Sequence, residues 1–288
     1  MNIFITGGSG FIGNAFRKEA IKKNKITLFL REGSTIPPDN NFTELVIKKN
    51  MSQIKMEDLK SIDLIVHLAA SGVKNPESIS IKNAYKNNVI DPINFFEVAI
   101  NKCAIKNFLV CGSCFEYGKT GEKNNNSLSV LDTLLPTNFY GSSKASFTMA
   151  CISMAYKYSL NLSLVRPFHI YGEGESERRF FPSIMHAIKK DLDFDMSLGE
   201  QIRDFTYVLD LAKILIQECN NLISKRNNPK LLIKNIGSGN KKTLKHFATE
   251  LWSKYSAKGR INFGKLPYRE NEVMQYIPNI DIIFSDNT

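Results

Sequence analysis

The chain has no run of about eighteen apolar residues, so no stretch of it reads as a membrane-spanning helix. It has no second Cys-x-x-Cys and no His-x-His to join Cys111 and Cys114, so a zinc site would lack half its ligands. Its five cysteines (Cys103, Cys111, Cys114, Cys151 and Cys219) are an odd number. The N-terminal stretch "MNIFITGGSGFIG" has no basic leader and breaks into glycines, so it does not read as a signal peptide. Together these features predict free thiols in a reducing, cytoplasmic setting. Helix-turn-helix, RNP and zinc-finger signatures are missing, which argues against a nucleic-acid partner. There is no block of like charge either: the formal charge is +10, but the lysines are scattered. That scatter reads as a solvated surface or as a field that draws in an anionic ligand such as a nucleotide. No internal repeat or low-complexity linker divides the 288 residues.

What is present alternates. "NIFIT", "ITLFLR", "ELVIKKN", "DLIVHLAA", "KNFLVCGS" and "LNLSLVRPFHIYG" read as mostly apolar strands. Helices are predicted between several of them: "NAFRKEAIKKN", a short one from "EDLKS", "YKNNVIDPINFFEVAINKCA" despite Pro92, and "TNFYGSSKASFTMACISMAYKYS". Apolar strands alternating with helices predict an α/β fold, a Rossmann doubly wound parallel sheet covered on both faces. After residue 172 the alternation loosens, which predicts a smaller C-terminal substrate-binding lobe. The expected division is 1–165 plus about 204–236 for the sheet domain, and 166–203 plus 237–288 for a discontinuous lobe.

"GGSGFIG" runs from Gly7 to Gly13 and satisfies both G-x-x-G-x-x-G and G-x-G-x-x-G. The spacing alone is weak. Its place, after the first strand and opening a helix, is the context in which backbone N–H groups and a helix N-terminus hold a pyrophosphate. The residue ending the second strand then reads the adenosine ribose. Here it is Arg31, which suits a 2′-phosphate, followed by Glu32, which suits a free 2′-hydroxyl. NADP(H) is the favoured cofactor and NAD(H) the alternative.

"YGSSK" sets Tyr140 and Lys144 four residues apart, on one face of a helix. A phenol near pKa 10 is a poor proton donor and acceptor at neutral pH, and a nearby ammonium lowers it. In "LVCGSCFEYG" the chemistry belongs either to the Cys111–Cys114 pair or to Ser113 between them.

With "TGGSGFIG", "HLAA" (67–70), "GSCFEYG" (112–118), "YGSSK" (140–144), "RPFHIYG" (166–172), "IRDFTYV" (202–208) and "LPYRENE" (266–272) in this order, nearly the whole chain resembles the extended short-chain dehydrogenase/reductases of the nucleotide-sugar epimerase/dehydratase type. The resemblance implies a catalytic triad of Ser113, Tyr140 and Lys144, which decides for oxygen over sulfur and leaves both cysteines as packing residues. Ser113 would orient the substrate carbonyl and Tyr140 would pass the proton. Lys144 would lower the Tyr140 pKa and hold the nicotinamide ribose. The resemblance further implies cofactor contacts from Gly7, Gly10, Phe11, Ile12, Gly13, Arg31, Leu68, Ala69, Ala70, Tyr140, Lys144 and Pro167. Substrate contacts would come from Ser71, Ser113, His169, Arg203 and Arg269.

Departures from the family pattern narrow the reading. Dehydratases of this type carry Asp-Glu directly after the catalytic Ser/Thr, and here those positions are Cys114 and Phe115. A 4-ketoreductase acting on a nucleotide-diphosphate 4-keto-6-deoxyhexose for surface polysaccharides is therefore expected, ahead of an NAD-dependent 4-epimerase. A non-catalytic dinucleotide-binding relative would be expected to have lost Y-x-x-x-K, which is intact. His169 replaces a usual asparagine, either to touch the sugar or nicotinamide or as a satisfied loop histidine. The family implies a homodimer through helices near 86–102 and 139–158. "PNIDIIFSDNT" departs from the usual closing "LGW", which implies a weaker lid over the sugar.

Overall fold

A computed structural model describes residues 1–73, 78–123, 127–224, 230–268, 272–280 and 284–285. Seven parallel strands form the central sheet: β1 (Asn2–Thr6), β2 (Lys25–Arg31), β3 (Glu44–Lys48), β4 (Leu64–His67), β5 (Asn107–Cys111), β6 (Asn161–Pro167) and β7 (Leu231–Ile236). Their spatial order is β7-β6-β5-β4-β1-β2-β3. The chain starts in the middle, winds outward to β3, then returns to build the other half from β4. The doubly wound sheet expected from the alternation is present. One edge differs from the expectation of an all-parallel sheet: β8 (Phe284–Ser285) pairs antiparallel with β7. Two residues give too little periodicity for such a strand to be read from sequence.

The helices divide between two faces because side chains alternate along each strand. Phe4, Ile65, Phe108, Val110, Leu162 and Leu164 share one core with Phe95 and Phe96 of α2 (Asp91–Asn101) and with Phe147 and Cys151 of α3 (Phe139–Tyr158). Ile3, Ile5, Leu64, Val66, Leu109, Cys111 and Val165 share the other with Phe16 of α1 (Phe11–Ala20) and with Leu211, Leu215 and Cys219 of α5 (Val208–Ser224). Strands covered on both faces need apolar residues at consecutive positions, which is why they read as unbroken runs.

Two local readings change. The expected single helix around Pro92 is three pieces: Ile81–Tyr85, a π-helical turn Lys86–Ile90, and α2. Pro92 sits in the first turn of α2, directly after the π-helical turn, where the helical hydrogen bonding changes step. The short α-helix expected before β4 is a pair of 3-10 turns, Met51–Gln53 and Met56–Leu59. "EDL" spans too few residues to close several i to i+4 bonds.

A further core lies off the sheet. Phe181, Ile184 and Ile188 of α4 (Phe180–Lys189) pack with Met196 and with Phe247, Ala248 and Leu251 of α6 (Leu244–Lys254). The Phe205 and Phe247 rings stack at 4.0 Å. Among the described residues no helix is long and apolar enough to cross a membrane.

Candidate active site

The C-terminal ends of β1, β4, β5 and β6 meet where the strand order reverses, the place where such sheets bind ligands. The glycine loop leaves β1 there. Gly7 has φ +74°, and a Cβ on it would lie 2.4 Å from the Ala69 nitrogen. A Cβ on Gly13 would lie 2.2 Å from the Gly7 oxygen. The loop is thus pressed onto the Leu68–Ala70 turn on one side and onto the first turn of α1, with Phe11 and Ile12, on the other. Gly10 caps α1 without a side-chain hydrogen bond, and no acidic residue occupies the first turn. Its free N–H groups and dipole suit an anion. The cradle is closed by backbone that any side chain would fill, so these residues fit a dinucleotide pyrophosphate. Arg17, fully buried, braces the loop from below: Nε donates to the Gly8 carbonyl at 2.8 Å and the guanidinium pairs with Asp39 at 2.8 Å. Arg31 and Glu32 stand exposed at the end of β2.

Ser113 begins the loop after β5 and is buried. Its Oγ accepts from the Phe115 N–H at 3.2 Å and caps a 3-10 turn, Cys114–Glu116. Tyr140 and Lys144 come from the first turns of α3, which Asn138 starts by accepting the Gly141 N–H at 2.8 Å. The structure brings all three together. Ser113 and Tyr140 are both buried there, close enough for the Ser113 hydroxyl to act on the phenol, and Lys144 Nζ donates to the Cys111 carbonyl at 2.6 Å. Burial pushes the Tyr140 phenol above its ordinary value, and the Ser113 hydroxyl opposes that shift. Burial is the largest influence on the phenol in this geometry, where the Lys144 amine is turned to the strand carbonyl.

Cys111 faces the α5 side of the sheet, while Cys114 sits in a cluster with Tyr117, Phe168 and Tyr276. Both thiols are free. Burial raises the first to about 11 and the second to about 12. Neither is a nucleophile at neutral pH.

The remaining expected contacts divide. Ser71 follows the β4 turn, and its N–H donates to Asn88 Oδ1 at 2.7 Å. Pro167 ends β6, buried beside the site. His169 stands in the next loop at φ +38°, with its Nε2 sealed from solvent and without a partner among the described residues. Burial, then Arg203 and Arg179, hold its pKa well below the ordinary value. Arg203 is mostly buried and pairs with Glu272 at 2.8 Å. Arg269 lies outside the described residues.

Sequence reasoning missed four groups here. Asn88, in the π-helical turn, ties Ser71 to Ser143 of α3 through bonds of 2.7 to 2.9 Å. Arg179 reaches the Val73 carbonyl at 3.3 Å from the loop before α4. Glu116 and Arg166 form a buried ion pair at 2.9 Å. A usable signal existed for the last two: an arginine inside the apolar strand "LSLVRP" requires a buried partner.

Residues 3–233 match the NAD dependent epimerase/dehydratase family. The chain is 28% identical over 287 residues to a CDP-abequose synthase of Salmonella typhimurium, covering 96% of this chain and 89% of that protein. It is 28% identical to a dTDP-6-deoxy-L-talose 4-dehydrogenase (NAD(+)) of Aggregatibacter actinomycetemcomitans, covering 95% and 98%. In structure it is similar to a UDP-N-acetylglucosamine 4-epimerase from Methanobrevibacter ruminantium M1, with a TM-score of 0.82 at 24% identity, covering 97% of this chain and 89% of that one. A backbone cradle at the end of β1, a switch point in a parallel sheet and a family match over most of the length lead to one conclusion: the chain is an enzyme of the NAD dependent epimerase/dehydratase family.

Proposed function

We propose that the protein is an NAD(P)H-dependent reductase of the C4 ketone in a nucleotide-diphosphate 4-keto-6-deoxyhexose, serving surface polysaccharide synthesis. The observation that carries this reading is the nature of the two residues directly after Ser113. Cys114 is buried among aromatic rings, and Phe115 turns its ring edge to Tyr140 at 5.8 Å. No carboxylate stands at either position to remove a proton and release water, whereas the groups for redox chemistry at a carbonyl converge. The relatives named CDP-abequose synthase and 6-deoxy-L-talose 4-dehydrogenase support the same substrate class.

A bound reduced nicotinamide supplies the hydride. In this reading Gly7, Gly10 and Gly13, with Phe11 and Ile12, hold the pyrophosphate, and Leu68, Ala69, Ala70 and Pro167 line the cofactor. Lys144 and Tyr140 take its ribose. Ser113 hydrogen-bonds the ketone oxygen as charge builds on it, where a fixed donor helps most. Tyr140 gives that oxygen its proton. Ser71, His169, Arg203 and Arg269 contact the sugar nucleotide, and residues 166–203 with 237–288 form the lobe that receives it. The exposed apolar residues Ile90, Met149 and Tyr156 support a homodimer through the helices on that face.

Arg31 favours NADPH. Glu32, next to it on the exposed end of β2, supports the second reading, a 4-epimerase that retains NAD. Purified protein is offered NADPH and NADH with CDP-, dTDP- and GDP-4-keto-6-deoxyhexoses, and absorbance of the reduced nicotinamide is followed. Consumption of NADPH is expected, and it should fall at least about a hundredfold in Tyr140→Phe. Interconversion of 4-epimers without net oxidation of NADPH would overturn the reductase reading.

A further inference from the structure

The carboxylate of Glu116 touches Ser113 and the helix that carries Tyr140 and Lys144. Its side chain is fully buried. Oε1 accepts the backbone N–H of Ser113 at 2.8 Å. Oε2 accepts the Thr148 hydroxyl at 2.9 Å and Arg166 Nε at 2.9 Å. Thr148 lies on α3 at steps of four residues from Lys144 and Tyr140, so all three share one helix face. One oxygen therefore holds the strand end that carries Ser113, and the other holds the helix that carries Tyr140.

The network is anchored away from the site. Arg166 comes from β6, and its Nη1 donates to Tyr117 OH at 3.0 Å. That hydroxyl donates to Asn235 Oδ1 of β7 at 2.7 Å, and Asn235 Nδ2 donates to the Leu128 carbonyl at 2.7 Å. Gly112 makes room for it: a Cβ there would lie 2.5 Å from Glu116 Oε1 and 3.2 Å from Arg166 Cγ. Packing alone would hold β5 against α3 at less cost, because burying an ion pair requires desolvating both charges. An apolar contact, however, does not fix direction, and two bonds to opposite oxygens of one carboxylate do.

We propose that Glu116, acting through Thr148 and the Ser113 backbone, is the positioning residue that sets how the Ser113 hydroxyl faces the Tyr140 phenol. Loosening Thr148 lets α3 drift relative to Ser113. The phenol then shifts relative to the Ser113 hydroxyl while every group that meets substrate keeps its identity. The kinetic part of this inference rests on the reductase reading; the spectroscopic part does not.

The protein is labelled with [13Cζ]tyrosine, and the Tyr140 resonance is assigned by its loss in Tyr140→Phe. Ser113→Ala gives the position of a phenol without the Ser113 hydroxyl beside it. In Thr148→Val, with a side chain of the same shape and no hydroxyl, the Tyr140 resonance should move toward that position. Thr148→Ser, which keeps the hydroxyl, should return it to the wild-type position. With a keto-sugar that turns over, Thr148→Val should lower kcat by about ten- to a hundredfold with KM little changed. A Thr148→Val protein that melts lower but keeps the wild-type Tyr140 resonance overturns the proposal, because Glu116 would then serve stability alone. The resonance is read without substrate, so failure of the whole sugar panel would sink the reductase reading and leave this test standing.

Discussion

A thiol has to ionise before it reacts, and burial works against both sulfurs beside Ser113. With Cys111 raised to about 11 and Cys114 to about 12, neither carries appreciable thiolate at neutral pH. Cys151 and Cys219 are raised further in the same direction by the same cause. Cys103 alone is only partly buried. A brief iodoacetamide pulse on the native protein at pH 7.5 should therefore label Cys103 first, as read by peptide mass spectrometry. Prior labelling of Cys111 or Cys114 would contradict their packing role. At this scale sequence and structure met unevenly. The spacing between Tyr140 and Lys144 was readable because a helix repeats at about four residues. Where Lys144 points was not, since the Cys111 carbonyl that receives it lies on a different element. Arg31, proposed above to meet the 2′-phosphate of the cofactor, has a simple test. Arg31→Glu should shift preference from NADPH to NADH by about tenfold or more, because a carboxylate repels a 2′-phosphate. An unchanged preference would remove Arg31 from the cofactor site.

The glycine loop and α1 act as one element, and the glycines in it are not equivalent. A Cβ at Gly13 would lie 2.2 Å from the Gly7 carbonyl oxygen and 2.6 Å from Gly8 Cα, whereas a Cβ at Gly10 would lie 3.2 Å from the same oxygen and meet nothing else. The first clash forces backbone to shift, and the second asks it to give by only a few tenths of an ångström. Gly13→Ala should cost about 1–3 kcal/mol of stability, as overpacking does, and should abolish dinucleotide binding. Gly10→Ala should fold nearly as well as the natural chain. Urea unfolding and dinucleotide titration of both variants check this, and equal effects would mean that α1 does not sit against Gly7. The motif itself was legible from its place between strand and helix. The brace beneath it was not. Arg17 reads as one more polar position on a surface helix, and only the approach of Asp39, twenty-two residues on, shows it to be buried. The π-helical turn around Asn88 is similar: nothing in "KNNVIDP" marks where hydrogen bonding changes step.

For the whole molecule, the titrations that differ between folded and unfolded chains set how stability responds to acid. Burial lowers His67 to about 3 and His169 well below its ordinary value, so both stay neutral in the folded protein. Once unfolded, both take up protons as pH falls through about 6.5. Glu175 acts the other way: burial raises it to about 7, so the folded form holds a proton that the unfolded form releases above about 4.5. Between about pH 6.5 and 4.5 the unfolded chain therefore binds two protons against one. Stability should fall on acidification by about 1.4 kcal/mol per pH unit, the slope of one net proton. Melting temperatures at pH 7, 6 and 5 measure it. A rise in stability toward pH 5 would mean that the two histidines take up protons in the folded protein and are not held neutral by burial.

The sequence alone determined the alternation of strands and helices, the glycine loop between β1 and α1, and the order of the Ser, Tyr and Lys groups. These come from local rules: strands covered on both faces must be apolar throughout, and backbone can approach a phosphate only where glycines allow it. The tertiary structure decided which buried charges meet. Glu116 finds Arg166 fifty residues away, and Thr148 is thirty-two residues from Glu116. It also decided that β8 joins the sheet edge and that Lys144 faces a strand carbonyl. A charge in the interior must be paired, but its partner is chosen by how strands and helices stack, and that choice leaves no period in the chain.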